Sequence, residues 1–190
     1  MGAIVHGTAY TGKRVVDIAC SAVACLVFAP VVTLIGAAIW LDDRGSPFFT
    51  QPRIGAARET FRILKFRTMR DGRVTRVGHW LRRTGLDELL QFANVFRGEM
   101  SIVGPRPLTA EDVDRLNWSS AQHDWRFATK PGITGIAQLA GGRSSRHSAR
   151  LDRLYLRRQN ALLDLRIIAL SFVINIAGKT AVRAWLRRAV

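Results

Sequence analysis

Residues 84–107 read TGLDELLQFANVFRGEMSIVGPRP. Apolar residues recur at Leu86, Leu89, Leu90, Ala93 and Phe96, the spacing of a helix with one buried face. Thr84, with Asp87 three residues on, has the form of a capping box, so the pattern predicts a helix that opens at Thr84. Gly98 stands where that helix would stop. Gly104-Pro105-Arg106-Pro107 then closes the stretch with two rigid prolines around an arginine. On this reading the neighbours Asp87 and Glu88 lie in a first helical turn, with Arg82 and Arg83 before them and Arg97 and Arg106 after.

That placement has chemical content. Adjacent helix residues point about 100° apart, so the two carboxylates can serve one site in two different roles. A helix N-terminus favours anions, which predicts that the Asp87 pKa is lowered and the group stays ionised. An ionised carboxylate among cations suits attack on phosphorus, and its neighbour suits a hard divalent ion such as Mg²⁺. The same residues also fit a plain helix cap followed by a charge that favours the dipole. Spacing alone does not choose between the two.

Upstream, Pro47–Ile54 and Thr60–Phe66 are short runs rich in Phe, Ile, Thr and Arg, joined by GAARE. They read as a β-hairpin whose last residues place Lys65 and Arg67 on one face if the strand continues. Further upstream, no charged residue occurs from Ile18 to Leu41. A helix of about 24 residues is long enough to cross a hydrocarbon core. Pro30 at its centre predicts a bend or break. Basic residues flank both ends (Lys13 and Arg14, then Arg44, Arg53 and Arg58), whereas a spanning helix concentrates them on one side. A straight span and a re-entrant helix with both ends on one face both remain open from these residues. The first 12 residues are small and polar and predict a poorly ordered start.

Downstream, Val113 and Leu116 suggest a surface helix, and at least one of Trp118 and Trp125 is expected in the core. Lys130-Pro131-Gly132 reads as a turn, and Gly135, Gly141 and Gly142 keep the backbone open around Gln138 and Arg143. Leu151, Leu154, Tyr155 and Leu162 outline a basic amphipathic helix, and Ile167–Ile176 is apolar but too short to span a bilayer. The tail pairs Trp185 and Leu186 with Arg183, Arg187 and Arg188, a composition suited to anionic lipid.

Composition narrows the partners. A formal net charge of +15 over 190 residues points to anionic ones: phosphorylated substrates, acidic lipid or nucleic acid. Nucleic acid finds no binding motif here and fits poorly with an uncharged 18–41 run. Cys20 and Cys25 both lie in that run and match no metal or disulfide spacing. The chain is expected to be α+β and mostly helical: an N-terminal segment (1–12), a membrane anchor (13–42) with a central break, and a catalytic domain (43–190) with a small hairpin and amphipathic interfacial helices.

LDELLQFANVFRGEMSIVGPRP resembles the signature of the bacterial sugar transferases, the monotopic phosphoglycosyl transferases that act on polyprenyl phosphate. FFTQPRIG (48–55), FRILKFRTM (61–69) and KPGITGIAQ (130–138) match in the same order. The resemblance covers the chain from about Lys13 to Lys179. It implies a re-entrant anchor broken near Pro30 at the cytoplasmic face of the inner membrane. It also implies transfer of a sugar phosphate from a nucleotide-sugar, such as a UDP-sugar, to polyprenyl phosphate, as the first membrane step of exopolysaccharide or glycoconjugate synthesis. Asp87 would be the nucleophile, Glu88 the Mg²⁺ ligand, and Lys65, Arg67, Arg82, Arg106, Gln138 and Arg143 the phosphate and substrate contacts. The chain departs from the family pattern in four places: a short RDGRVTR loop after Met69, Gly85 for a usual Ser, Leu90 for a usual Pro, and Arg143 one residue later than usual. The residues alone also allow a non-catalytic basic scaffold on a membrane surface, and they leave homo-oligomerisation open.

Overall fold

Helix α1 (Lys13–Asp43) is the longest element and sets the layout of the rest. Its most apolar 18-residue stretch has a mean hydropathy of 2.5, and the helix is long and apolar enough to cross a membrane. The computed structural model describes residues 9–141 and 144–177, so Arg143 and the Trp185 tail lie outside the described residues. Pro30 sits inside α1, and the helix continues through it, so the expected interruption is not seen. A proline removes one backbone hydrogen bond, and the cooperative intrahelical bonds on either side carry the helix past it. The Thr33 hydroxyl donates to Ala29 O at 3.0 Å just beyond it, the back-bonding that bends helices without ending them.

One face of α1 is buried at four-residue intervals: Lys13, Asp17 and Ser21 near the start, then Ile35 and Ile39 near the end. The opposite face leaves Val15, Val23, Leu26, Leu34 and Leu41 exposed. At the start, Lys13 Nζ meets Asp164 at 2.5 Å, the Tyr155 hydroxyl lies 2.8 Å from the same carboxylate, and Asp17 accepts from Ile102 N at 3.0 Å. Tyr10 also reaches Asp164 (3.2 Å), so the described end of the 1–12 segment is tied down where poor order was expected. At the far end, Asp43 pairs with Arg67, and Ile35 and Ile39 pack with Phe66 and Leu81.

Replacing Asp164 with Leu leaves Lys13 buried without a counter-charge, which costs about 3–5 kcal/mol. Denaturant unfolding in detergent should show that loss, and Lys13→Met in the same chain should restore most of it. Equal stability of the single and double variants would show that the pair does not hold α1.

The body that α1 touches begins with the antiparallel hairpin β1 (Phe48–Ile54) and β2 (Thr60–Phe66), as the sequence predicts. Two short strands, β3 (Met69–Arg70) and β4 (Arg73–Val74), lead to helix α2 (Arg76–Thr84). Helix α3 (Gln91–Arg97) packs along α1, with Phe92 stacked on Phe28 at 6.2 Å. Strand β5 (Ser101–Val103) pairs in parallel with β6 (Gly132–Thr134), a strand pair that the sequence does not predict and whose second strand begins at the end of the expected Lys130-Pro131-Gly132 turn. Three-residue strands carry too little alternation to be recognised. Close backbone contact explains their glycines: a Cβ on Gly132 would sit 2.1 Å from Gly104 N.

Between β5 and β6 lie α4 (Ala110–Arg115), opened by a Thr109–Asp112 capping box, and α5 (Asp124–Phe127). Trp118 is buried there with Leu108, Val113 and Phe127. After β6 come α6 (Ile136–Leu139), α7 (Ser145–Arg158) and α8 (Ala161–Ala177). The main core joins Ile63, Val95, Met100, Ile102, Val103, Tyr155 and Ile167 from β2, α3, β5, α7 and α8. Helix α8 leaves Leu162, Leu165, Phe172 and Val173 exposed on its other side. The fold is therefore mostly helical with three two-stranded sheets among the described residues.

Candidate active site

The helix expected to open at Thr84 does not. Thr84 is the last residue of α2, its hydroxyl donating back to Trp80 O (2.9 Å) and Leu81 O (3.1 Å). Gly85 follows at φ 74° and turns the chain, a conformation glycine adopts at little cost. Asp87 and Glu88 then lie on a 3-10 turn, Leu86–Glu88, before α3 begins at Gln91. The expected stop at Gly98 is observed, at φ 90°.

This geometry reverses the pKa expectation for Asp87. Burial raises it, the neighbouring Glu88 carboxylate raises it further, and Lys65, a backbone hydrogen bond and Arg82 oppose the rise. The long helix dipole invoked from the sequence is absent, because the carboxylates sit on a short turn instead of a first α-helical turn. Lys65 Nζ lies 2.8 Å from Glu88 Oε1, in a half-buried pair.

The hairpin supplies the facing wall. Register pairs Phe49 with Lys65, Gln51 with Ile63 and Arg53 with Phe61, so alternate residues share one face. From that face Arg53, Ile63 and Lys65 line a cleft with Glu88, Gln91, Arg106, Pro107, Gly132, Ile133 and Gln138. Arg53 donates to Gln51 Oε1 at 2.7 Å and to Pro107 O at 3.3 Å, tying the hairpin to the Arg106 loop. Burial lowers its pKa, and the nearby Arg106 charge adds to that. Arg106 is exposed at its side chain, and its carbonyl accepts from the buried Arg126, which is itself paired with Asp152 at 3.2 Å. The β5–β6 pair and Arg126 thus fix the loop that presents Arg106.

Five of the site residues named from sequence are therefore set close together: Asp87 and Glu88 on their turn, with Lys65, Arg106 and Gln138 around the cleft. Arg82 is exposed and donates to Thr68 Oγ1 at 2.8 Å, close enough for its charge to act on Asp87. Arg67 does not line the cleft. Strand β2 ends at Phe66, the alternation stops, and Arg67 pairs with Asp43 over Gly45. Arg53 and Gln91 line the cleft but were not singled out from the sequence; the signal for Arg53 was its β1 position, in register with the strand that bears Lys65.

Among the described residues no three His, Cys, Asp or Glu side chains stand together as a metal cage. Two adjacent carboxylates still suit Mg²⁺, which is commonly held by one or two carboxylates together with substrate phosphates.

The description of the bacterial sugar transferases matches residues 8–178. The chain belongs to the bacterial sugar transferase family. Among sugar transferases and related proteins, it is 38% identical to undecaprenyl-phosphate glucose phosphotransferase of Komagataeibacter xylinus, over 89% of this chain and 36% of that protein. It is 34% identical to UDP-glucose:undecaprenyl-phosphate glucose-1-phosphate transferase of Escherichia coli, over 89% of this chain and 41% of that protein. It is 33% identical to exopolysaccharide production protein ExoY of Rhizobium meliloti, over 82% of this chain and 81% of that protein. The chain thus spans well under half the length of the first two of these sugar transferase relatives.

Proposed function

We propose that this chain transfers a sugar 1-phosphate from a UDP-sugar to polyprenyl phosphate. The observation that carries the reading is the pair Asp87–Glu88 beside Lys65, at a cleft whose other walls bring in Arg53 and Arg106. The names of the relatives, which specify UDP-glucose and undecaprenyl phosphate, support the substrate classes.

In the proposed reaction an Asp87 oxygen bonds to the β-phosphorus of the UDP-sugar. The bond from that phosphorus to the bridging oxygen breaks, and UMP departs with the electron pair. An oxygen of polyprenyl phosphate then attacks the same phosphorus, the bond to Asp87 breaks, and the carboxylate is regenerated. Lys65, Arg53 and Arg106 stabilise the equatorial charge, with Arg82 adding to the field around Asp87. Mg²⁺, held by Glu88, would supply neutralisation of the diphosphate charge. Arg67 serves the anchor through Asp43.

The raised Asp87 pKa has a signed consequence. Protonated Asp87 is no nucleophile, so the rate should fall on acidification with a half-point above the usual carboxylate range. Stability moves the other way: the folded state holds this proton more tightly than the unfolded chain, so the Asp87 contribution favours folding as pH falls through the folded pKa. Rate and unfolding midpoint measured across the same pH series separate the two. An acid limb at or below the ordinary aspartate value would contradict the assignment.

The way α1 is held supports a reading of the membrane geometry. Its first turn is fixed to Asp164 and Ile102, and its last to Arg67 and Leu81, all on one packed body. A helix tied at both ends to one body leaves both ends on that body's side of the membrane. This supports a shallow, re-entrant placement at the cytoplasmic face, with the exposed apolar side of α1 in lipid and anionic headgroups near the basic surface. In a chain with Cys20 and Cys25 replaced, Thr11→Cys and Arg44→Cys should both react with an impermeant thiol reagent from the cytoplasmic side. Periplasmic labelling of the first would contradict the placement.

Purified chain in vesicles with undecaprenyl phosphate, Mg²⁺ and UDP-glucose or other UDP-sugars tests the reaction itself. Release of UMP that depends on the lipid phosphate is expected. A membrane scaffold without catalytic function would release none.

A further inference from the structure

A buried polar atom with no partner is costly to leave in the folded state, so a cleft that holds two of them is built to receive a polar ligand group. Gln91 Nε2 and Gln138 Oε1 are both buried without a hydrogen-bond partner, and both side chains line the Lys65–Glu88 cleft. Gln91 is 2% exposed, and it opens α3 three residues after Glu88. Gln138 is oriented by its own Nε2, which donates to Ile133 O at 3.2 Å and leaves the oxygen over. A Cβ on Gly135 would come within 2.9 Å of that oxygen, so glycine is what leaves room beside it.

The two atoms differ in kind: Gln91 offers an N–H and Gln138 an acceptor. Phosphate oxygens accept only, and the cleft already meets them with Lys65, Arg53 and Arg106. A hydroxyl both donates and accepts, and so satisfies the two amides together. We infer that Gln91, together with Gln138, reads a hydroxyl of the nucleotide-sugar next to its diphosphate, and so determines donor specificity. The inference rests on the proposed transferase reading. The hydroxyl belongs either to the transferred sugar or to the ribose, and the two sources are separable.

The test uses the full chain in vesicles with undecaprenyl phosphate and Mg²⁺, reading UMP release. The donors are UDP-glucose, analogues lacking one sugar hydroxyl at a time, and analogues lacking one ribose hydroxyl. Wild type should lose roughly 10- to 100-fold in kcat/KM on one of these analogues. Gln91→Met keeps the side-chain volume and removes the donor. It should lose a similar factor on UDP-glucose and lose no more on that one analogue, so the discrimination disappears. Whether the affected analogue lacks a sugar or a ribose hydroxyl names the source.

Gln138→Met should remove the discrimination at the same hydroxyl, and it carries the test alone if Gln91→Met does not fold. A uniform loss on every donor, with discrimination unchanged in both variants, would assign the amides to packing and overturn the inference. If wild type releases UMP from no UDP-sugar, the transferase reading itself fails, a result distinct from unchanged discrimination in an active enzyme.

Discussion

Asp87→Asn is expected to lower turnover by on the order of 10³-fold or more while leaving the protein folded. An amide cannot form the bond to phosphorus, and loss of a nucleophile removes most of the catalytic advantage at once. The stability side is equally specific. Asp87 does not cap a helix, and its carboxylate is held in a half-buried place beside Glu88, where charge is disfavoured. Asparagine removes that repulsion and keeps the shape, so the unfolding midpoint should stay level or rise slightly. Destabilisation with near-normal turnover would return Asp87 to a structural role.

Glu88→Gln is the second large effect. The amide keeps the shape but loses the charge that pairs with Lys65 and that would hold Mg²⁺. Turnover should fall by about 10²-fold or more, and excess chelator should reduce wild type to a similar level. Mg²⁺ or Mn²⁺ should restore wild type and not the variant, since both ions seek hard oxygen ligands. Full activity of wild type in excess EDTA would remove the ion from the mechanism.

Much of this site is visible in the chain before any fold is known. The hairpin follows from two β-rich runs around GAARE, the stop at Gly98 from glycine, and the gathering of Lys65, Glu88, Arg106 and Gln138 from the ordered blocks of the family signature. The start of the carboxylate segment was misread because Thr84-Gly85 has two meanings. Threonine before an acidic residue signals a beginning, and glycine signals an end; here Gly85 in the left-handed region prevails, and Thr84 bonds backwards into α2. That one inversion turned a first-turn carboxylate into a half-buried one and reversed the direction of its pKa.

Other features depend on partners distant in sequence. Lys13, Asp17 and Ser21 stand at four-residue spacing, but only Asp164, Tyr155 and Ile102 give that stripe its meaning as a clamp. Arg67 looked like a continuation of the Lys65 face until β2 ended one residue before it. Gln91 sits among apolar neighbours in a helical pattern, and nothing local marks its amide as facing a cleft.

The most direct test of a covalent phosphosugar on Asp87 is made without the acceptor. Purified chain incubated with UDP-glucose and Mg²⁺, but no polyprenyl phosphate, should gain the mass of one phosphosugar, and peptide mapping should place it on Asp87. Adding polyprenyl phosphate should discharge it. Lipid-dependent UMP release with no adduct at any time, or an adduct on another residue, would contradict the account.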